Sequence, residues 1–235
     1  MTAKAAPLAV IPARGGSKRI PRKNIKPFAG KPMLLYAIDA ARASGLFGHI
    51  VVSTDDEEIA ELARAAGAVV PFMRPVELSD DITPTVPVVA HAIRECAARG
   101  MAADHVCCIY PGVPLLDPAD LQQAFELLQR TSSAYVFPVT TFPSAVQRAL
   151  LRDADGATRP MYPEFASTRT QDLEPAFHDA GQFYWGLARS WLAGLNIHQS
   201  GRTIVLPQWR VVDIDTPADW QRAEALYQAL GGALS

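Results

Sequence analysis

Two short stretches, far apart in a chain of 235 residues, carry side chains suited to one kind of chemistry. The first is Arg14-Gly15-Gly16-Ser17-Lys18-Arg19, followed at once by Arg22, Lys23, Asn24, Lys26 and Lys31. Residues 11–32 therefore hold seven basic side chains and no acid, and the first acid of the chain is Asp39. Paired glycines let backbone N–H groups wrap an anion while Lys and Arg neutralise it, which suits a di- or triphosphate. Neither GxxxxGK[ST] nor GxGxxG occurs here, so the loop is not a Walker loop or a dinucleotide fingerprint. The second stretch is Asp213-Ile214-Asp215. Two carboxylates one residue apart at the end of a strand point to the same side. Their hard oxygens suit the divalent cation that accompanies a triphosphate. Thr216, Pro217 and Asp219 read as the start of a helix, which leaves the two aspartates without a capping duty. A rival pair, Asp55-Asp56, reads as acids favoured at a helix N-terminus.

These groups need a scaffold, and short apolar runs supply it. PLAVIPA, HIVVS, AVVPF, HVCCIY and AYVFPV each read as a buried strand, and RTIVLP and RVVDID read as strands late in the chain. Amphipathic helices lie between them. In DEEIAELARAAG the apolar residues Ile59, Leu62, Ala63 and Ala66 share a face, and Gly67 ends the helix. In PADLQQAFELLQR the positions are Leu121, Phe125 and Leu128, with Asp117 as N-cap and Pro118 at the first turn. TPADWQRAEALYQALGG closes the chain as a capped helix. The alternation predicts an α/β fold with a doubly wound, mostly parallel sheet, in which ligands bind beyond the carboxyl ends of the strands. The loop after the first strand lies at that end. Residues 141–185 break the rhythm and are rich in Pro, Arg and aromatics. They read as an inserted arm or lid with a hairpin turn at Asp153–Gly156, and 1–235 otherwise as one domain.

Composition narrows the function classes. Residues 1–38 hold eight Lys/Arg and no acid (+8), while the other 197 hold 14 basic and 24 acidic residues (−10). A basic segment on an acidic body favours a local anionic ligand over a nucleic acid, and aromatics are not interleaved with the charges as stacking platforms. Cys96, Cys107 and Cys108 form no disulfide framework or zinc spacing, and they read as buried thiols in a reducing cytosol. No signal peptide or 18-residue apolar span is present, which points to a cytoplasmic protein off the membrane.

Ile11-Pro12-Ala13-Arg14-Gly15-Gly16-Ser17-Lys18, continuing through Pro21-Arg22-Lys23-Asn24, resembles the signature of CMP-sugar-acid synthetases, the cytidylyltransferases that activate nonulosonic acids. The resemblance continues through Val52-Ser53-Thr54-Asp55, Arg74-Pro75, Leu78-Ser79 and Asp213-Ile214-Asp215-Thr216, and so spans nearly the whole chain. Within the family, Phe137-Pro138-Val139-Thr140, Gln147-Arg148-Ala149-Leu150 and His178–Gly186 (HDAGQFYWG) are more similar to members acting on pseudaminic acid than to those acting on N-acetylneuraminate. At Tyr110-Pro111-Gly112-Val113-Pro114-Leu115-Leu116 the chain departs from the sialate pattern, lacking its two hydroxyls and its Arg.

The resemblance implies a Rossmann-like nucleotidyltransferase that transfers CMP from CTP to the anomeric hydroxyl of pseudaminic acid, with release of pyrophosphate. The same reaction on N-acetylneuraminic or legionaminic acid, or a non-catalytic nucleotide-binding relative, is the alternative. Arg14, Lys18 and Lys23 are then expected on the triphosphate, with Gly15, Gly16, Ser17 and Asn24 shaping the loop. Asp213 and Asp215 are expected to hold Mg²⁺, and Arg74 and Ser79 to contact the nucleoside. Gln147, Arg148 and Arg169 from the insertion, with Gln182 and Tyr184, are candidates for the anionic nine-carbon sugar. The insertion, at about 141–180, is expected to serve as a dimerisation arm, giving a homodimer.

Overall fold

The computed structural model describes residues 5–231; Lys4, one of the basic N-terminal residues, and Gly232, expected from the sequence to end the closing helix, lie outside them. The chain begins with β1 (Leu8–Pro12), a small pair of bridges β2 (Pro27–Phe28) and β3 (Lys31–Pro32), and α1 (Met33–Ala43). Then come β4 (His49–Ser53), α2 (Glu57–Ala65), α3 (Thr85–Ala97), β5 (His105–Ile109), α4 (Pro118–Thr131) and β6 (Tyr135–Thr141). A hairpin of β7 (Leu150–Arg152) and β8 (Thr158–Pro160) precedes β9 (Phe177–Asp179) and β10 (Phe183–Leu187). The chain closes with α5 (Ala188–Leu192), β11 (Gly201–Val205) and α6 (Pro217–Ala229).

The seven-stranded sheet runs β11-β6-β10-β5-β1-β4, with β9 on β6. β1 pairs in parallel with β4 on one side and β5 on the other, and β6 in parallel with β11. β10 is antiparallel to both β5 and β6, and β9 is antiparallel to β6. Helices cover both faces. One layer of core packs Ile11, Leu34, Ile59, Leu121 and Trp185, and the other packs Val10, Val89, Cys108, Tyr184 and Trp191. Successive residues of β10 thus enter opposite cores, so all of Phe183-Tyr184-Trp185 is buried. All three cysteines are free and buried.

Local chemistry sets the helix starts. The Asp56 side chain accepts the Ile59 N–H, Asp117 accepts the Ala119 N–H, and Thr216 with Asp219 forms a complete capping box. Two expected strands do not form. Residues 68–73 touch the sheet only through single bridges, Val51 with Val69 and Thr54 with Met73. Pro71 between them has no N–H for a ladder. Residues 211–215 pair with no strand among the described residues. The alternation there reflects burial: Val212 and Ile214 pack with Phe28, Met33 and Trp220 in a third cluster, while Val211 enters the main core. Between β6 and β9, residues 142–176 form a mostly exposed projection, whose two strands make their own antiparallel sheet around the Asp153–Gly156 turn.

Candidate active site

β1 sits where the connections diverge, with β4 on one side and β5 on the other. In an open α/β sheet such a switch point leaves a crevice at the carboxyl ends of the strands. The crevice is a cleft of about 430 Å³. Arg14, Ser17, Lys18, Arg19, Lys23 and Asn24 from the loop after β1 line it, with Arg74, Tyr110 and Asp215 from other elements.

The loop is tied down by acids of the α2 N-terminus. Asp55 accepts the Gly15 N–H at 3.0 Å, and Arg22, whose backbone is left-handed at φ 55°, forks onto Asp56 and reaches Glu58. The Arg22 guanidinium in turn holds the Asp56 carboxyl below its ordinary value. A Cβ on Gly15 would lie 2.5 Å from Asp56 Oδ2, so only glycine permits this approach. The glycine therefore serves loop-to-helix packing. Its N–H, expected on an anion, is bonded to Asp55, and neither Gly15 nor Gly16 lines the cleft.

Every cation facing the cleft has an acidic partner. Arg14 and Lys18 share Asp81, one on each oxygen. Arg19 donates to Asp215 at 2.8 Å, and Lys23 donates to the Ile214 carbonyl at 2.7 Å while standing 3.4 Å from Asp215. Lys18 first, then Arg14, holds the Asp81 carboxyl below the usual range. Two buried residues keep polar atoms in reserve. Asn24 donates to the Arg14 carbonyl at 2.9 Å, but its Oδ1 has no partner. Arg74, only 6% exposed, donates from Nε to Ser79 Oγ at 3.1 Å, while its Nη2 lacks a hydrogen bond and stands 3.6 Å from Asp55. Burial lowers the Arg74 pKa, which Asp55 partly offsets. Buried unsatisfied donors and acceptors cost about 1–3 kcal/mol each, so two of them at one cleft point to a ligand that completes them.

Asp213 lies beside Asp215 but outside the cleft lining. The residue is exposed, yet partial shielding of its carboxyl by the surrounding chain first, and then the Asp215 charge, raises that carboxyl above the ordinary value. Among the described residues no cluster of three or more His, Cys, Asp or Glu has metal-site geometry. The two aspartates are brought together by their place in one buried-and-exposed segment between an internal turn at Gln208–Arg210 and α6, not by strand alternation.

A second cavity of about 440 Å³ adjoins the cleft, and Thr85 and Tyr110 line both. Their hydroxyls meet at 2.7 Å, and burial pushes Tyr110 up to about 12. Tyr184, Leu195, Ile197 and His198 form its other walls. The Tyr184 hydroxyl donates to Asp179 at 2.9 Å, and His198 Nε2 lies 2.7 Å from the same carboxylate oxygen. Gln182 is buried, with Nε2 on the Arg210 carbonyl and Oε1 unpartnered, and lines neither cavity. Gln147, Arg148 and Arg169 are not brought to the cleft. They bond within the projection, to the Glu174 carbonyl, the Thr168 carbonyl and Asp172. Asp81, Thr85, Tyr110 and Asp179 stand at or beside the two cavities with no role foreseen from the sequence, and Asp55, read there as an acid at a helix N-terminus, also holds the Gly15 N–H. The pair Asp80-Asp81 is visible as a motif, but only the fold brings Asp81 to Arg14 across 67 residues.

A parallel-stranded α/β core with a basic loop at the switch point defines a nucleotide-binding protein of the nucleotidyltransferase type. Residues 8–161 match the family model described as Cytidylyltransferase, and the chain belongs to that family. It is 43% identical over 222 residues to pseudaminic acid cytidylyltransferase of Campylobacter jejuni, covering 94% of this chain and 96% of that protein. To CMP-N,N'-diacetyllegionaminic acid synthase of Legionella pneumophila it is 31% identical over 229 residues, covering 94% and 96%. A CMP:2-keto-3-deoxy-manno-octonic acid synthetase complexed with CTP shares the fold at a TM-score of 0.71 and 16% identity, covering 96% of this chain and 100% of that one. Among the described residues no helix is long and apolar enough to cross a membrane.

Proposed function

We propose that this cytidylyltransferase transfers CMP from CTP to the anomeric hydroxyl of pseudaminic acid, releasing pyrophosphate. The observation that carries the reading is the convergence of Arg14, Lys18, Arg19, Lys23, Arg74 and Asp215 on one cleft that shares a wall with a second cavity. The similarity to the Campylobacter jejuni protein supports the choice of sugar.

Arg14, Lys18 and Lys23 neutralise the β- and γ-phosphates and stabilise charge on the departing pyrophosphate, so most of the catalysis is positioning and electrostatics. The spare atoms of Asn24 and Arg74 hold the nucleoside, and Ser79 fixes the Arg74 head group. The sugar acid occupies the adjoining cavity, where Tyr184, oriented by Asp179, and His198 offer polar contacts between the apolar walls of Leu195 and Ile197. Gln147, Arg148 and Arg169 reach such a site only if the projection of one chain meets another. The exposed Leu150, Met161, Tyr162 and Phe177 on or beside it favour burial in a homodimer. The donor set of Asp213 and Asp215 fits Mg²⁺: two carboxylates, that of Asp213 raised first by shielding from water and then by the Asp215 charge, and making no ion pair among the described residues. With two protein ligands, the remaining positions fall to water and phosphate oxygens. A bound Mg²⁺ would polarise the α-phosphoryl oxygen. CTP as co-substrate is consistent with work in the cytoplasm.

The test is product identification. Purified protein given CTP, magnesium and pseudaminic acid should yield CMP-pseudaminate by mass spectrometry, in equal amount to pyrophosphate. CTP hydrolysis without a sugar conjugate would overturn the reading.

A further inference from the structure

Asp81 stands in the cleft with no task in its own loop. Its neighbour Asp80 holds that loop, accepting the N–H groups of Ile82 at 3.1 Å and Thr83 at 2.6 Å. The oxygens of Asp81 instead go to Arg14 and Lys18, and all three side chains line the same cleft. A carboxylate thus sits on two of the cations that a triphosphate needs.

We infer that Asp81 is an internal counter-anion that competes with the β- and γ-phosphates for Arg14 and Lys18, and so speeds the departure of pyrophosphate after transfer. The inference rests on the reading of Arg14 and Lys18 as triphosphate-binding residues. Magnitudes favour a competitor over a block. The Lys18 side chain is 80% exposed and those of Arg14 and Asp81 about one third, and such ion pairs are weak. CTP brings more charge, more oxygens and a nucleoside anchored at Arg74 and Asn24, so it displaces the carboxylate. Pyrophosphate, once cut from the nucleoside, keeps only the loop cations. A carboxylate tethered beside them returns at high effective concentration.

Asp81→Asn removes the charge and keeps the shape, and because Asp80 carries the loop's hydrogen bonds the loop stays in place. Calorimetric titration of the full chain with CTP, pyrophosphate and CMP should give roughly threefold to tenfold tighter binding of CTP and pyrophosphate, with CMP unchanged. The inhibition constant of pyrophosphate in the forward reaction should fall in parallel. Asp81→Ser should give the same order, which controls for hydrogen bonds made by the Asn amide. Unchanged or weaker pyrophosphate binding in both variants overturns the inference. Lys18→Ala separates the two layers. If it weakens CTP and pyrophosphate while the Asp81 variants tighten neither, the counter-anion role alone fails. If it changes neither ligand, the triphosphate reading of the loop fails with it.

Discussion

Replacing Asp215 by Asn separates binding from chemistry. In the fold Asp215 receives Arg19 at 2.8 Å and stands 3.4 Å from Lys23, with its side chain 35% exposed and that of Arg19 66% exposed. Ion pairs of this exposure contribute about 0.2–1 kcal/mol each, so the loss of both should lower the melting temperature of a chain this size by about 1–8 °C. The substitution also frees Arg19 and removes the weaker of the two partners of Lys23, so CTP affinity measured without metal should hold or improve. Catalysis should behave differently. Stabilisation of transition-state charge by a bound metal is worth several kcal/mol, and each 1.36 kcal/mol is tenfold. Loss of one of the two proposed carboxylate ligands should therefore lower kcat at least about hundredfold. Pyrophosphate release at saturating CTP and sugar gives kcat, calorimetry gives the CTP affinity, and a thermal melt checks the fold. A kcat within threefold of the parent, with the fold intact, would refute the metal assignment.

Lys23→Ala should raise the CTP KM about tenfold or more, because a phosphate loses a nearby cation, and it should cost about 1–2 kcal/mol of stability through the lost bond to the Ile214 carbonyl. Steady-state kinetics and a denaturant melt check both. Asp213→Asn should lower turnover yet raise stability at neutral pH. Because folding raises the Asp213 pKa, its contribution is favourable below the unfolded value and is lost as pH rises through the folded one, so the variant's gain in melting temperature should vanish in acid below both. Tyr184→Phe removes a donor to Asp179 and should raise the sugar KM by roughly twofold to tenfold with the CTP KM unchanged. Equal changes in both KM values would place Tyr184 outside the sugar site.

What could be read from the chain alone follows from how local each signal is. The parallel strands β1, β4, β5, β6 and β11 and the capped helices α2, α4 and α6 are written in short windows of apolar period and capping residues. The basic loop was legible because its residues are contiguous. The antiparallel entry of β10 between β5 and β6 was not, because a run buried on both faces carries no sign of direction. Residues 211–215 looked like a strand because burial in the third cluster imitates the period of a sheet. The contacts of Asp55, Asp81 and Asp179 were not legible for one reason. Each is an ordinary surface-type acid until the fold brings Gly15, Lys18 or Tyr184 beside it.

The most direct measurement is pyrophosphate release by the purified protein with CTP and magnesium, run in parallel on pseudaminic, legionaminic and N-acetylneuraminic acids. The proposed function predicts a kcat/KM for pseudaminic acid at least about tenfold above either other acid, a difference of about 1.4 kcal/mol in transition-state binding. A higher value for legionaminic or N-acetylneuraminic acid would contradict the choice of sugar, and no release with any of them would contradict CMP transfer to a nonulosonic acid itself.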